Sequence, residues 1–144
     1  MGIVIAVTSG KGGTGKTSVT GGVASCLARL GKRVLCIDMD IGLRNLDISL
    51  GLSDRALMDF SDVAQNRCSL ESAVVSHPNV PNLYLLTAPV RMRGPAVTTL
   101  DFRLMLGKIR QQFDYCLLDA PAGLGEGFRL AVCAADRCVV VTTQ

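Results

Sequence analysis

Short apolar runs alternate along the chain with amphipathic stretches, and glycine, proline and polar residues separate them. Continuous apolar runs are typical of strands buried on both faces. They cover residues 3–8, 33–37, 83–86, 115–118 and 137–142. Helical patterns lie between them, over residues 16–30, 54–63, 70–75, 97–112 and 126–134. This alternation predicts an α/β fold with a mostly parallel sheet and helices on both faces.

The first helix and the last strand carry the most specific predictions about packing. Apolar residues that recur at helical spacing predict the face of the first helix that packs on the sheet. These are Val19, Val23, Leu27 and Leu30. Gly21 and Gly22 each lower helix propensity by about 1 kcal/mol relative to alanine, so we expect close packing against the sheet there. The run from Val139 to Val141 predicts a final strand buried on both faces.

Composition places the chain among globular domains. Of its 144 residues, 49% are hydrophobic and 19% are charged, and the mean hydropathy is +0.37. These values exclude a disordered chain. The net charge is only +3 and the basic residues are scattered, so no nucleic-acid surface is indicated. A helix that spans a membrane needs about 18 apolar residues, and the apolar stretches of this chain are far shorter. No signal peptide is evident. We therefore expect one cytoplasmic domain over residues 1–144.

A glycine-rich segment between the first strand and the first helix matches the phosphate-binding pattern G-x-x-x-x-G-K-[ST]. Its glycines allow backbone N–H groups to close around phosphate oxygens, and the helix N-terminus adds partial positive charge. In this pattern Lys16 reaches the β- and γ-phosphates, and the Thr17 hydroxyl binds Mg²⁺. The predicted nucleotide-binding residues are Gly10, Lys11, Gly12, Gly13, Thr14, Gly15, Lys16, Thr17 and Ser18.

Carboxylates follow two of the predicted strands. A phosphate loop needs a further carboxylate for its metal, and Asp119 ends the buried run that begins at Tyr115. Asp38 and Asp40 close the second strand, and sites in such sheets lie at the carboxyl ends of strands. If the segment stays extended, these two side chains point the same way, toward the phosphate loop.

Lys11 is an additional lysine inside the loop, and it makes a resemblance to a known family informative. The stretch G-K-G-G-T-G-K-T resembles the deviant Walker A loop of the ParA/MinD superfamily of ATPases, with Thr14 where valine is usual. The resemblance implies that Lys11 crosses a dimer interface to the nucleotide of the partner subunit. Its charge would there act as an arginine finger supplied in trans.

Residues 38–47, D-M-D-I-G-L-R-N-L-D, and residues 119–123, D-A-P-A-G, are similar to the septum-site-determining MinD branch of that superfamily. Flagellar-placement ATPases share much of the first stretch but usually lack an arginine at Arg44, and chromosome-partition ATPases usually differ there. Residues 88–95 depart from the usual MinD pattern. A flagellar-placement or a chromosome-partition ATPase of the same superfamily therefore remains an alternative. A nucleotide-binding module that does not hydrolyse ATP is the alternative from another class.

The resemblance implies a division-site placement ATPase that uses ATP and Mg²⁺. It implies an ATP-dependent homodimer that binds the inner face of the cell membrane and recruits a MinC-like division inhibitor, with a MinE-like factor stimulating hydrolysis. Lys11 and Lys16 would stabilise phosphate charge, and Thr17 would bind Mg²⁺. Asp38 and Asp119 would act on the metal through water, and Asp40 would position the attacking water.

The resemblance covers essentially the whole chain but only part of such a protein. MinD proteins continue well beyond the position of Gln144, with adenine-recognition residues, further strands and a C-terminal membrane helix. We therefore expect residues 1–144 to correspond to the N-terminal half of the domain, as a fragment, a truncated gene model or a degraded paralogue. We also expect the last strand to expose a hydrophobic edge.

Overall fold

The computed structural model describes residues 1–9, 15–42, 44–52, 58–91, 94–121 and 125–142. The strands in these ranges are β1 (Ile3–Ser9), β2 (Val34–Asp38), β3 (Val75–Ser76), β4 (Leu83–Leu86), β5 (Tyr115–Asp119) and β6 (Arg137–Val141). The helices are α1 (Lys16–Arg29), α2 (Asn45–Ser49), α3 (Phe60–Ala64), α4 (Leu70–Ala73), α5 (Thr99–Gln112) and α6 (Glu126–Ala134). Within the same ranges, every helix falls short of the length and hydrophobicity needed to span a membrane.

The strands form a single sheet in the order β3-β4-β2-β5-β1-β6. All neighbouring strands are parallel except β3, which is antiparallel to β4. This confirms the predicted mostly parallel α/β fold. The strand that follows β1 in the chain is not its neighbour, because β5 lies between β1 and β2. Asp119 at the end of β5 is therefore in register with Val7 on one side and Asp38 on the other.

Alternate residues of the central strands enter separate hydrophobic cores on the two faces of the sheet. On β2, Val34 and Cys36 pack with α1 and α2, whereas Leu35 and Ile37 pack with the helices of the opposite face. The second core is the larger one, and an edge-to-face contact of Phe60 with Phe102, at 6.0 Å between centroids, joins α3 to α5. Helices therefore cover both faces, as the sequence predicts.

Two short elements were not predicted, and one predicted helix is only partly described. The sequence predicts no helix between residues 38 and 53, yet this stretch contains α2, which begins after Arg44 in the left-handed conformation (φ 51°). Strand β3 has two residues. Two residues are too few for an alternation of apolar and polar positions to reveal a strand. Of the helix expected over 54–63, residues 54–57 lie outside the described residues. The observed α3 begins after Asp59, whose carboxylate caps it.

The packed face of α1 differs from the predicted one. Val19, Val23 and Leu30 are 38%, 45% and 76% exposed, whereas Leu27 is half-buried and packs against the core on this face of the sheet, so three of the four predicted positions do not face the sheet. The buried positions of α1 are the small residues Thr20, Gly21, Ala24 and Ala28. The small side chains of Thr20, Ala24 and Ala28 allow the helix axis to approach the sheet closely, whereas larger side chains there would hold it further away.

The two glycines of α1 also differ from the prediction. A Cβ atom added at Gly21 would lie 3.5 Å from Leu50 Cδ2 and 3.6 Å from Ser49 Oγ, so this glycine faces α2 and its C-terminal cap rather than the sheet. At Gly22 nothing lies within 4 Å of an added Cβ atom. The expectation of close packing against the sheet is therefore wrong for both glycines.

Strand β6 lies at an edge of the sheet, where it pairs with β1. Val139 and Val140 are 46% and 61% exposed. The burial on both faces that the apolar run predicts is therefore wrong, because among the described elements only β1 packs extensively on β6 and no helix covers its faces. The exposed hydrophobic edge that the family resemblance led us to expect is present.

Candidate functional site

The carboxyl ends of β1, β2 and β5 meet the first turn of α1 at one edge of the sheet. Gly10 to Thr14, including Lys11, lie outside the described residues. The described part of the loop begins at Gly15, whose φ of 82° lies in the left-handed region that favours glycine. Lys16 and Thr17 follow as half-buried residues, and Ser18 is exposed. The first turn of α1 contains no acidic residue, so its N-terminus is free to attract an anion.

Lys16 and Asp119 form the central ion pair of this edge. Lys16 Nζ lies 2.6 Å from Asp119 Oδ1, and the two side chains are 11% and 1% exposed. Thr17 Oγ1 donates a hydrogen bond of 3.0 Å to the other carboxylate oxygen, Oδ2. Lys16 is predicted to bind phosphate, and Thr17 and Asp119 are predicted to bind the metal. The structure brings these three side chains into contact.

Thr20 is a member of this cluster that the sequence reasoning did not identify. Its hydroxyl lies 2.9 Å from Asp119 Oδ1 and 3.0 Å from the carbonyl oxygen of Lys16, and its side chain is fully buried. Thr20 is three residues after Thr17 and four after Lys16, so all three lie on one face of α1. That spacing is the signal from which the sequence could have suggested it.

Asp38 is buried beneath the turn that follows β2. Its Oδ1 accepts a hydrogen bond of 2.9 Å from the N–H of Asp40, and Oδ2 accepts a longer one of 3.4 Å from the N–H of Leu46. The pKa of Asp38 is raised to about 7, mainly because the carboxylate is buried. The hydrogen bond from Asp40 lowers this pKa, and the negative charges of Asp119 and Asp47 raise it. The described turn of this segment covers residues 41 and 42, so the expectation that the side chains of Asp38 and Asp40 point the same way stays a prediction.

Asp40 lies at the same edge and is half-buried. Partial burial raises its pKa, the positive charge of Lys16 lowers it, and the negative charge of Asp119 raises it. These influences place Asp40 within electrostatic range of the Lys16–Asp119 pair. Of the predicted catalytic residues, Lys16 and Asp40 lie at the same edge of the sheet, while Lys11 is outside the described ranges.

Asp47 is a second buried carboxylate in the 38–47 stretch, and no role was predicted for it. Thr87 Oγ1, just after β4, donates a hydrogen bond of 2.7 Å to Asp47 Oδ2. Within the part of the chain that the structure describes, Asp47 Oδ1 has no hydrogen-bond partner. Burial raises the pKa of Asp47, and the hydrogen bond from Thr87 and the charge of Arg44 lower it. This hydrogen bond connects α2 to the end of β4.

The residues at this edge fit a magnesium nucleotide. Mg²⁺ prefers oxygen donors, and the Thr17 hydroxyl and Asp119 carboxylate supply them side by side. Phosphate prefers a cation and the N-terminus of a helix, and Lys16 stands in the first turn of a 14-residue helix. The chemistry of the donors matches both parts of the ligand.

Comparisons with known proteins agree with this geometry. A family model described as an AAA domain matches residues 2–144. The septum site-determining protein MinD of Thermotoga maritima is 46% identical over 143 residues, which are 99% of this chain and 53% of that protein. The chain thus spans about half the length of the curated relatives it matches.

Two solved structures show the same similarity in three dimensions. A chain of the MinC:MinD cell division protein complex of Aquifex aeolicus has a TM-score of 0.84 and 41% identity, covering 96% of this chain and 55% of that one. The septum site-determining protein MinD of Pyrococcus horikoshii OT3, complexed with Mg-ADP, has a TM-score of 0.82 and 29% identity, covering 99% and 58%. The predicted resemblance to MinD is confirmed. Because the family model matches all but the first residue, the chain belongs to the AAA domain family, within which it is similar to MinD proteins.

Proposed function

We propose that this chain binds ATP with Mg²⁺ and hydrolyses it as part of a division-site placement system. The observation that carries the proposal is the cluster in which Asp119 receives both Lys16 and Thr17 at the start of α1. Three chemical requirements of a magnesium nucleotide, a cation, a hydroxyl and a carboxylate, meet there within hydrogen-bonding distance. The similarity to MinD proteins supports the choice of ATP over other phosphate ligands.

The proposed roles follow from the position of each side chain. Lys16 binds and neutralises phosphate oxygens, which compete with Asp119 for its ammonium group. Thr17 and Asp119 would hold Mg²⁺, and Asp38 would act on it through water. When bound, the metal supplies positive charge that offsets the charge of the phosphates.

Hydrolysis requires a water molecule to attack the γ-phosphorus while the bond to the leaving ADP oxygen breaks. Asp40, at the same edge of the sheet as Lys16 and partly open to solvent, is the proposed residue that accepts a hydrogen bond from this water and orients it. Positioning and charge stabilisation account for most of the catalysis of phosphoryl transfer. Lys11 is proposed to complete the site from the partner subunit of a homodimer.

Assembly is the part of the proposal that depends on similarity. A MinC-like division inhibitor is the proposed partner, supported by the resemblance to a chain of the MinC:MinD complex. A MinE-like factor and the inner face of the cell membrane are proposed for the whole protein on the family resemblance. If Lys11 acts in trans, Lys11→Ala should bind nucleotide as a monomer but lose nucleotide-dependent dimerisation in analytical ultracentrifugation.

Nucleotide titration tests the binding part of the proposal. Lys16→Ala should weaken ADP binding in the presence of Mg²⁺ at least about tenfold, because the phosphates lose their fixed counter-charge. Lys32→Ala removes an exposed lysine after the far end of α1 and serves as the matched control, with unchanged affinity expected. Equal affinity for the Lys16→Ala and unsubstituted chains, or no binding by the latter, would overturn the proposal.

Phosphate release separates hydrolysis from mere binding. Asp40→Asn keeps the size of the side chain but loses its charge. We expect unchanged ATP affinity and turnover at least about tenfold slower, a barrier increase of about 1.4 kcal/mol. Nucleotide binding without any turnover in the unsubstituted chain would favour the alternative of a non-hydrolysing module. Normal turnover in Asp40→Asn would refute the role of Asp40 alone.

A further inference from the structure

We propose that Thr20 is a positioning residue that orients the Asp119 carboxylate, and that this orientation sets the Mg²⁺ dependence of nucleotide binding. The inference rests on the proposed function, because it concerns the carboxylate assigned to the metal. Thr20 lies one helical turn beyond Lys16 and has no access to solvent. It therefore acts through Asp119 rather than on a ligand directly.

The donors around Asp119 are divided unequally between its two oxygens. Oδ2 accepts from Thr17 at 3.0 Å, whereas Oδ1 accepts from Lys16 at 2.6 Å and from Thr20 at 2.9 Å. The carboxylate is 1% exposed, so water cannot readily replace a lost donor. Thr20 is thus the neutral donor at the oxygen that also receives the ammonium group.

That division matters when phosphate competes for Lys16. A phosphate that draws the ammonium group away leaves Oδ1 with Thr20 as its remaining side-chain donor among those the structure describes. An ionised buried carboxylate that loses a donor is costly to keep in place. Thr20 offsets this cost and holds Asp119 in the orientation in which Oδ2 meets the Thr17 hydroxyl.

A purely structural role for Thr20 is the competing explanation. Its single hydroxyl proton can instead go to the carbonyl oxygen of Lys16, at 3.0 Å, a common arrangement for threonine inside helices. The carboxylate is the stronger acceptor because it is charged, and charge-assisted hydrogen bonds are about twice as strong as neutral ones. The two explanations differ in whether the effect of Thr20 depends on Asp119.

The first test uses two matched variants, Thr20→Val, which has the same shape without a donor, and Thr20→Ser, which keeps the donor. The readout is the ratio of ADP dissociation constants measured by calorimetry in EDTA and in excess Mg²⁺. We expect Thr20→Val to reduce this ratio about tenfold, as the loss of one hydrogen bond to a charged group implies, and Thr20→Ser to change it less than about threefold. An unchanged ratio in Thr20→Val would overturn the inference.

The second test needs no nucleotide, so its failure is distinguishable from failure of the proposed function. Urea midpoints are measured in EDTA for Thr20→Val, for Asp119→Leu, which removes the acceptor, and for the double variant. We expect the midpoint shift caused by Thr20→Val to disappear in the Asp119→Leu background. Additive shifts would show that Thr20 serves only the helix carbonyl. If the unsubstituted chain does not bind ADP, the proposed function fails, and this cycle still decides whether Thr20 orients Asp119.

Discussion

The buried carboxylate of Asp38 leads to a prediction about how stability depends on pH. Burial raises its pKa from 3.8 to about 7 in the folded chain. Between these values the folded protein holds a proton on Asp38 that the unfolded chain has lost. The contribution of Asp38 to the free energy of unfolding is therefore complete below about pH 4 and is lost as the pH rises toward 7.

The expected magnitude follows from the same values. At about 1.4 kcal/mol for each pH unit, the difference between 3.8 and about 7 corresponds to about 4 kcal/mol. Asp38→Asn removes the ionisation but can accept only one of the two backbone N–H groups. Loss of the longer bond, 3.4 Å to Leu46, costs about 1 kcal/mol. We therefore expect Asp38→Asn to raise the free energy of unfolding by about 2–3 kcal/mol at pH 8 and to lower it slightly at pH 4.

Urea unfolding of the unsubstituted chain and of Asp38→Asn, in EDTA and at several pH values from 4 to 8, measures this difference. EDTA is needed because a bound cation would favour the ionised form. Burial also raises the pKa of Asp40 and Asp47, but both are present in the two proteins and largely cancel in the comparison. A stability difference that stays constant across this pH range would refute the reasoning.

Two further predictions concern packing. Gly127→Ala would place Cβ 2.1 Å from the carbonyl oxygen of Met39, so we expect the free energy of unfolding to fall by about 1–3 kcal/mol. Gly107 lies inside α5, and nothing lies within 4 Å of a Cβ atom added there, so Gly107→Ala should raise the free energy of unfolding by about 0.5–1 kcal/mol. Urea unfolding measures both variants, and equal changes in stability would contradict the close contact of Gly127 with Met39. Val23 and Leu30 are exposed apolar residues on α1, and such residues can mediate association between copies of a chain. The double variant Val23→Ser with Leu30→Ser should therefore reduce self-association in sedimentation experiments. Undiminished association would show that another surface is responsible.

Local chemistry accounts for what could be predicted from the sequence. The strand, glycine loop and helix over residues 3–30 follow from a buried apolar run, a run of glycines and helical periodicity, all of which act between neighbours in the chain. The same holds for Asp119, because a polar residue that ends an apolar strand lies at the carboxyl edge of a parallel sheet. The roles of Lys11, Asp38 and Asp40 remain predictions.

Contacts between distant parts of the chain decided the rest. The insertion of β5 between β1 and β2, which places Asp119 beside both Val7 and Asp38, depends on strand pairing that no local pattern encodes. Periodicity likewise identifies an apolar stripe on α1 but not which face can approach the sheet most closely, and the small face was the one buried. Thr20 illustrates the same limit: its spacing places it on the face of Lys16, but only the fold brings Asp119 within 2.9 Å of its hydroxyl.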